Sequence, residues 1–131
     1  MRGGVALLAI LVCANLWGTA AAAPPPAVKV EIDYLLQYVE ESRCEFYRNG
    51  SWYTASRARA HLQLKYDHLL ARDRVASAED FIDRAATRSS MSGQPYRVRC
   101  ADGIVHDAGD WFSDALARYR AIERQVGHIV P

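Results

Sequence analysis

The sequence has no large excess of charge of either sign and no closely spaced residues of the kind that bind metals. These two absences exclude some classes of function. Sixteen basic residues stand against fifteen acidic ones, and the formal net charge of +1 comes from Arg2 at the start of the chain. A chain without excess positive charge is not expected to bind nucleic acid or an anionic membrane by bulk electrostatics. The four His residues are scattered, with only His61 and His68 at helical spacing, so we expect no metal site. We also expect no cofactor.

Long hydrophobic runs occur only in the first 22 residues. "MRGG" carries one positive charge, "VALLAILVCANLW" is apolar, and "GTAAAA" supplies the small residues of a cleavage site. These are the three parts of a secretory signal peptide, so we predict a signal peptide over residues 1–22. The mature protein would be periplasmic or secreted, with no stable membrane insertion after cleavage. Two alternatives stay open: an uncleaved anchor, and a lipoprotein acylated at Cys13.

Removal of the leader would leave two cysteines, Cys44 and Cys100. An even pair in an exported chain favours a disulfide, which would close a loop of about 57 residues and contribute about 4 kcal/mol. A catalytic thiol or a pair of metal ligands is the alternative. It has less support because the chain lacks a Cys-x-x-Cys motif and has no His within four residues of either Cys.

The pattern of apolar residues predicts helices separated by two hairpins. A helix is expected over 27–42, a second from the capping residue Thr54 to about Ala71, a third over 78–86 behind Ser77, and a last one opened by Asp107 and Asp110. Asn49-Gly50 tolerates the positive φ angles of a type I′ turn between two aromatic arms, and Asp102-Gly103 marks a second hairpin. The fold class is therefore α+β: about four helices, two short hairpins that form a small antiparallel sheet, and one disulfide.

The domain boundaries follow from the same pattern. We predict a Pro-rich spacer over 23–28, a single domain over 29–126 and a tail over 127–131. On the last helix the predicted apolar face runs from Trp111 through Ile122 to Val126.

Four stretches resemble a known family of small exported proteins: "FYRNG", "HLQLKY", "AEDFIDRAATRSSMSGQPYRV" and "WFSDALARYR". They match the pattern of the YfeK-like proteobacterial proteins: Arg-Asn-Gly, Ala-x-x-His-Leu-x-x-Lys, Ala-Glu-x-Phe-Ile and Ser-Ser-x-(Ser/Thr)-Gly-x-Pro-Tyr. The resemblance covers about residues 30–122. Because that family is uncharacterised, the resemblance implies export and a set of positions but no activity.

Three basic side chains are the candidate binding residues. His61 and Lys65 lie four residues apart on the second helix, within a stripe that also holds Arg57, His68 and Arg72. We predict that the first hairpin brings Arg48 beside His61 and Lys65. The three would hold an anionic group of a ligand or partner, or else an internal carboxylate, with Glu45 and Asp80 the nearest. The alternative is a solvated helix face paired with acids from other elements.

The segment "SSMSGQPY" has two interpretations. We assign Ser89, Ser90, Ser92 and Gly93 to a helix end, with Gly93 left-handed and the hydroxyls capping free backbone groups. The alternative is a hydrolase-like site in which His61 acts with Ser90 or Ser92, although Gly-x-Ser-x-Gly and Ser-x-x-Lys are both absent. The favoured function is a non-catalytic binding or interaction module of the cell envelope. Its partner would be an unknown protein or a small anionic ligand.

Overall fold

The computed structural model describes residues 23–129, which form an α+β domain with the predicted helices and hairpins. In chain order the elements are α1 (Pro26–Ser42), β1 (Glu45–Arg48), β2 (Ser51–Thr54), α2 (Ala55–Leu70), α3 (Ala78–Phe81), a π-helical segment (Ile82–Ala86), β3 (Arg97–Arg99), β4 (Val105–Asp107) and α4 (Ala108–Ile129). The predicted signal peptide lies outside these residues. None of the helices in residues 23–129 is long and apolar enough to cross a membrane.

Helix α1 begins inside the predicted Pro-rich spacer and includes its last three residues, 26–28. Pro26 is its first residue, and Val28 N donates to Pro25 O at 2.9 Å. Proline is favoured at this position because its fixed φ suits the helix and its missing N–H would have no helical acceptor. The spacer boundary at residue 28 is therefore wrong, and residues 26–28 belong to the helix.

The four strands form one antiparallel sheet in the order β2-β1-β3-β4. Asn49 and Gly50 have φ angles of 47° and 90°, as the predicted type I′ turn requires. Phe46 of β1 lies opposite Val98 of β3, and both side chains are buried. Because successive strand residues face opposite sides of a sheet, this register turns Tyr47 outward.

A disulfide joins the two hairpins at the same end of the sheet. Cys44 directly precedes β1 and Cys100 directly follows β3, and these strands are neighbours. The Cα atoms are 4.3 Å apart across a sequence separation of 56 residues. The predicted pairing and its position are confirmed.

One apolar core lies between the inner face of the sheet and the helices. Helical periodicity predicts apolar faces that include Val28 on α1 and Ala58 on α2, and these two side chains are only partly buried. The other members of the predicted faces are buried: Ile32, Leu35, Leu36 and Val39 of α1, and Ala55, Leu62, Tyr66 and Leu69 of α2. Phe81, Phe112 and Val98 add the largest fully buried groups from α3, α4 and β3. Thr54 caps α2 as predicted, because its Oγ1 accepts from Arg57 N at 3.4 Å.

The third predicted helix is α-helical only in its first turn. Ser77 caps it as expected, accepting from Asp80 N at 3.1 Å, but residues 82–86 are π-helical. At its end the Thr87 hydroxyl donates to the carbonyl of Ile82, five residues back, at 2.8 Å. A wider turn of this kind cannot be read from apolar periodicity, because it alters hydrogen bonding and leaves the composition unchanged.

Helix α4 is longer and less buried than predicted. Its buried residues end at Leu116, whereas Ile122 and Val126 are 56% and 51% exposed. Arg120 donates hydrogen bonds to Glu31 of α1 and Glu79 of α3. A helix rises about 1.5 Å per residue, so the turns after Arg120 extend beyond the layer that α1 and α3 provide. The predicted apolar face is thus wrong at its C-terminal end, and residues 127–129 are helix rather than tail.

Candidate functional site

The first hairpin brings Arg48 against His61 of α2. Arg48 is the last residue of β1, and its Nη1 lies 2.7 Å from His61 Nδ1 and 3.1 Å from Nε2. The Tyr53 ring of β2 lies beside the same guanidinium, with the Arg48 Cζ 5.0 Å from the ring centroid and the Arg57 Cζ at 5.4 Å. Arg48 and His61 are therefore in direct contact, and Tyr53 and Arg57 belong to the same cluster.

The surroundings of His61 keep its imidazole neutral. Burial first, and then the charges of Arg48 and Lys65, lower the pKa of His61 to about 4. The hydrogen bonding agrees, because a guanidinium has only donors and a ring nitrogen of His61 must accept from it. We assign the acceptor to Nδ1, the nearer nitrogen, which leaves the proton on Nε2, 3.3 Å from Tyr96 Oη.

Lys65 contacts Tyr96 and does not contact Arg48 directly. Its Nζ donates to the Arg88 carbonyl at 3.1 Å and to Tyr96 Oη at 3.2 Å. Burial, and secondarily the Arg48 charge, lower the pKa of Lys65 to about 8. The Tyr96 hydroxyl thus joins Lys65 to His61, and the lysine affects the cluster through that hydroxyl and through its charge.

A pocket of about 200 Å³ opens beside Arg48 and His61. Its floor consists of buried and mainly apolar side chains: Phe46, Leu62, Ala86, Tyr96, Ala108 and Phe112. Arg48, Tyr53, Arg57 and His61 line its more exposed part, and Lys65 does not line it. The site is therefore an apolar pocket with arginines at its rim.

The cations of this site have no acidic partner within residues 23–129. No Asp or Glu oxygen lies within 4.0 Å of a side-chain nitrogen of Arg48, Arg57 or Lys65, although four other arginines form such pairs. The two carboxylates suggested from the sequence lie elsewhere. Glu45 accepts from Arg99, and Asp80 accepts from Ala76 N beside Arg84. The suggestion of an internal carboxylate from Glu45 or Asp80 is therefore wrong.

The serine segment holds the turn that presents Arg48. Asn49 Nδ2 donates to Ser89 Oγ at 3.2 Å, and Ser92 Oγ donates to Asn49 Oδ1 at 2.6 Å. Ser89 is buried, and its hydroxyl also accepts from the backbone N–H groups of Met91 and Ser92. Gly93 is left-handed as expected, with φ of 72°.

The sequence suggested that these serines end a helix, but in the structure they do not. The helical stretch stops at Ala86, and Ser89, Ser90, Ser92 and Gly93 form a separate turn closed by Gly93 N donating to Ser89 O at 2.9 Å. The hydrolase-like alternative requires a hydrogen bond between His61 and Ser90 or Ser92. In the described part of the chain the side-chain hydrogen bonds of His61 go to Arg48 and Tyr96 instead.

Sequence patterns indicate only part of this site. Tyr53 and Tyr96 lie outside the predicted set of basic residues, although Tyr96 ends the Gly-x-Pro-Tyr element of the family pattern. The residues of the predicted basic stripe on α2 fall in two separate places. Arg57 and His61 line the pocket. Outside it, Arg72 Nη1 lies 2.9 Å from His68 Nδ1. Residues 23–129 contain no group of three or more His, Cys, Asp or Glu side chains that could hold a metal ion.

The geometry defines a small disulfide-linked α+β domain with an arginine-rimmed apolar pocket. A sequence profile for DUF5329, a family of unknown function, matches residues 26–120, so the chain belongs to this family. The chain is also 32% identical over 91 residues to the uncharacterized protein YfeK of Salmonella typhimurium, which covers 70% of this chain and 72% of that protein. The resemblance found in the sequence is thereby confirmed. No solved structure matches the chain.

Proposed function

We propose that this protein is a binding module of the cell envelope that holds the anionic group of a small ligand between Arg48 and Arg57. The observation that carries the proposal is the cluster of cations beside a pocket, with no carboxylate partner among residues 23–129. Gathering like charges costs free energy unless an opposite charge joins them, and a bound anion would supply that charge.

The chemistry of the rim suits a carboxylate. Guanidinium groups donate planar pairs of N–H bonds that match the two oxygens of a carboxylate, and such charge-assisted bonds are stronger than neutral ones. Arg48 is partly buried, and its neighbours Tyr53 and His61 limit its rotation. Less conformational freedom is then lost when a ligand binds.

Benzoate titration of the mature protein tests the proposal, with amide chemical shifts as the readout. Benzoate should move the resonances of residues around Arg48 and His61. Benzamide, its neutral isostere, should bind at least about tenfold more weakly, since hydrogen bonds to charged groups contribute about 1.5–3 kcal/mol. Arg48→Met should weaken benzoate binding by a similar factor. Arg97→Met, which removes an exposed arginine from the outer face of the same sheet, should leave the affinity unchanged. Equal affinity for benzoate and benzamide would contradict anion binding.

We infer an envelope location from the leader and the disulfide. Disulfides persist in oxidising compartments, and the Cys44–Cys100 bond supports such a location. The intact mass of the exported protein should correspond to a chain that begins near Ala23. A mass that retains residues 1–22, or one that includes a lipid on Cys13, would contradict this.

A further inference from the structure

The burial of the pocket lining separates an apolar interior from a charged entrance. Phe46, Leu62 and Phe112 on the floor are 7%, 4% and 1% exposed. Leu64 at the rim is 69% exposed, and Arg57 is also exposed. A ligand bound in this pocket would contact apolar side chains in the interior and the guanidinium groups near the solvent.

Among the buried side chains of the floor, Tyr96 alone carries a polar group, and its hydroxyl contacts Lys65 and His61. The lining residues from the π-helical segment and α4 are Ala86, Ala108 and Phe112, and Ala86 and Ala108 are 0% and 1% exposed. A hydroxyl or amide placed there would lose its hydrogen bonds to water without replacement. The interior therefore favours an apolar group of the ligand over a polar one.

The volume limits the size of the apolar group. The pocket volume is about 200 Å³, and an apolar protein cavity of about 150 Å³ is large enough to bind benzene. A short acyl chain or a phenyl ring fits this space.

We propose that the ligand is a small amphipathic carboxylate whose apolar group, of about six or seven carbon atoms, fills the pocket while the carboxylate remains at the rim. This inference rests on the proposed function, because it takes the anion site at Arg48 and Arg57 as given. A free short-chain acid and the C-terminal residue of a peptide share this chemistry.

A chain-length series on the mature protein tests the inference. Affinities for acetate, butanoate, hexanoate and octanoate are compared by NMR titration, with hexanol as the neutral control. Each methylene buried should raise the affinity about fourfold. The gain per methylene should fall between hexanoate, whose apolar tail has five carbons, and octanoate, whose tail has seven, because the pocket is then full. N-acetyl-phenylalanine, which presents a free carboxylate like a peptide C terminus, is compared with its amide to test that source.

Two variants locate the apolar part of the site. Ala58→Leu places extra bulk on a pocket-lining position and should remove most of the gain from acetate to hexanoate. Ala117→Leu, an exposed alanine on α4 that does not line the pocket, should leave the whole series unchanged. The series on the wild-type protein decides the inference even if Ala58→Leu fails to fold.

The outcomes separate the two proposals. Equal affinities for acetate and hexanoate would overturn the amphipathic ligand and leave the anion site standing. Equal affinities for hexanol and hexanoate would overturn the anion site. Lack of binding by every carboxylate would overturn both proposals.

Discussion

His61 shows how one residue reports on the electrostatics of the site. It lies between Arg48 and Tyr96, and Lys65 contacts the same tyrosine hydroxyl. A protonated imidazole would add a positive charge beside those of Arg48 and Lys65 and would lose its acceptor for the Arg48 N–H group. The neutral form is therefore favoured until a bound anion supplies compensating charge.

We predict that this arrangement makes stability depend on pH. The pKa of His61 in the folded state, about 4, lies below its ordinary value of 6.5. The unfolded chain therefore takes up the proton first, so the contribution to stability is fully present above pH 6.5 and is lost as the pH falls to 4. We expect a loss of about 1–2 kcal/mol, a discounted figure because the ring is partly exposed to solvent. Urea unfolding at a series of pH values measures it.

The carbon-bound proton resonances of the imidazole test the cause. Arg48→Met should raise the pKa of His61 toward 6.5, although part of the shift should remain because burial is its largest cause. Arg97→Met should leave it unchanged. Saturating benzoate should raise the pKa of His61 in the wild-type protein, since an added negative charge favours imidazolium. A His61 pKa near 6.5 in the unliganded wild-type protein would contradict the described geometry.

At the scale of elements, the first hairpin and the serine turn function as one unit. The Asn49 side chain bridges them with one donated and one accepted hydrogen bond, to Ser89 and Ser92. Asn49 therefore has two roles: its backbone adopts the positive φ of the turn, and its amide fixes the turn against the segment after Ala86. Arg48, the preceding residue, takes its position from this contact.

Two substitutions separate these roles. Asn49→Gly keeps the positive φ and removes the amide, so its loss of stability, about 1–2 kcal/mol, reports the bridge to the partly buried Ser89 hydroxyl. Asn49→Ala should cost about 1 kcal/mol more, because an alanine disfavours positive φ. Chemical denaturation measures both. If Asn49→Gly retains the full stability and benzoate affinity of the wild type, the bridge has no part in positioning Arg48.

At the scale of the whole molecule, the disulfide is the covalent link between the two halves of the sheet. It joins the hairpins across 56 residues, a span that includes α2, α3 and the π-helical segment. The constraint acts largely on the unfolded chain, whose freedom it reduces.

The double variant Cys44→Ala, Cys100→Ala should therefore lose about 4 kcal/mol of unfolding free energy and show a markedly lower Tm. Reduction of the wild-type protein with dithiothreitol should produce a similar loss. Because reduction keeps both cysteine side chains, it controls for the packing changes that the two alanine substitutions cause. A Tm within about 2 °C of the wild type in both samples would show that the link contributes little.

Local signals in the sequence were sufficient for most elements. Thr54 and Ser77 cap helices, Asn49-Gly50 forms the predicted turn, and the periodicity of α1 and α2 identified their buried faces. Each of these depends on residues within a few positions of one another, so a single stretch of chain contains the information. The π-helical segment and the exposed end of α4 were missed because they depend on what packs against them.

The sequence by itself determined most of the element types, the fold class, the disulfide pair and the presence of basic residues on α2. Only the tertiary structure decided which of these residues meet. It set Arg48 against His61, put Lys65 behind Tyr96, paired Glu45 with Arg99, and tied Asn49 to the serine turn. The physical reason is that helix and turn preferences act along the chain, whereas the partners of a charged side chain are set by the register and packing of elements distant in sequence.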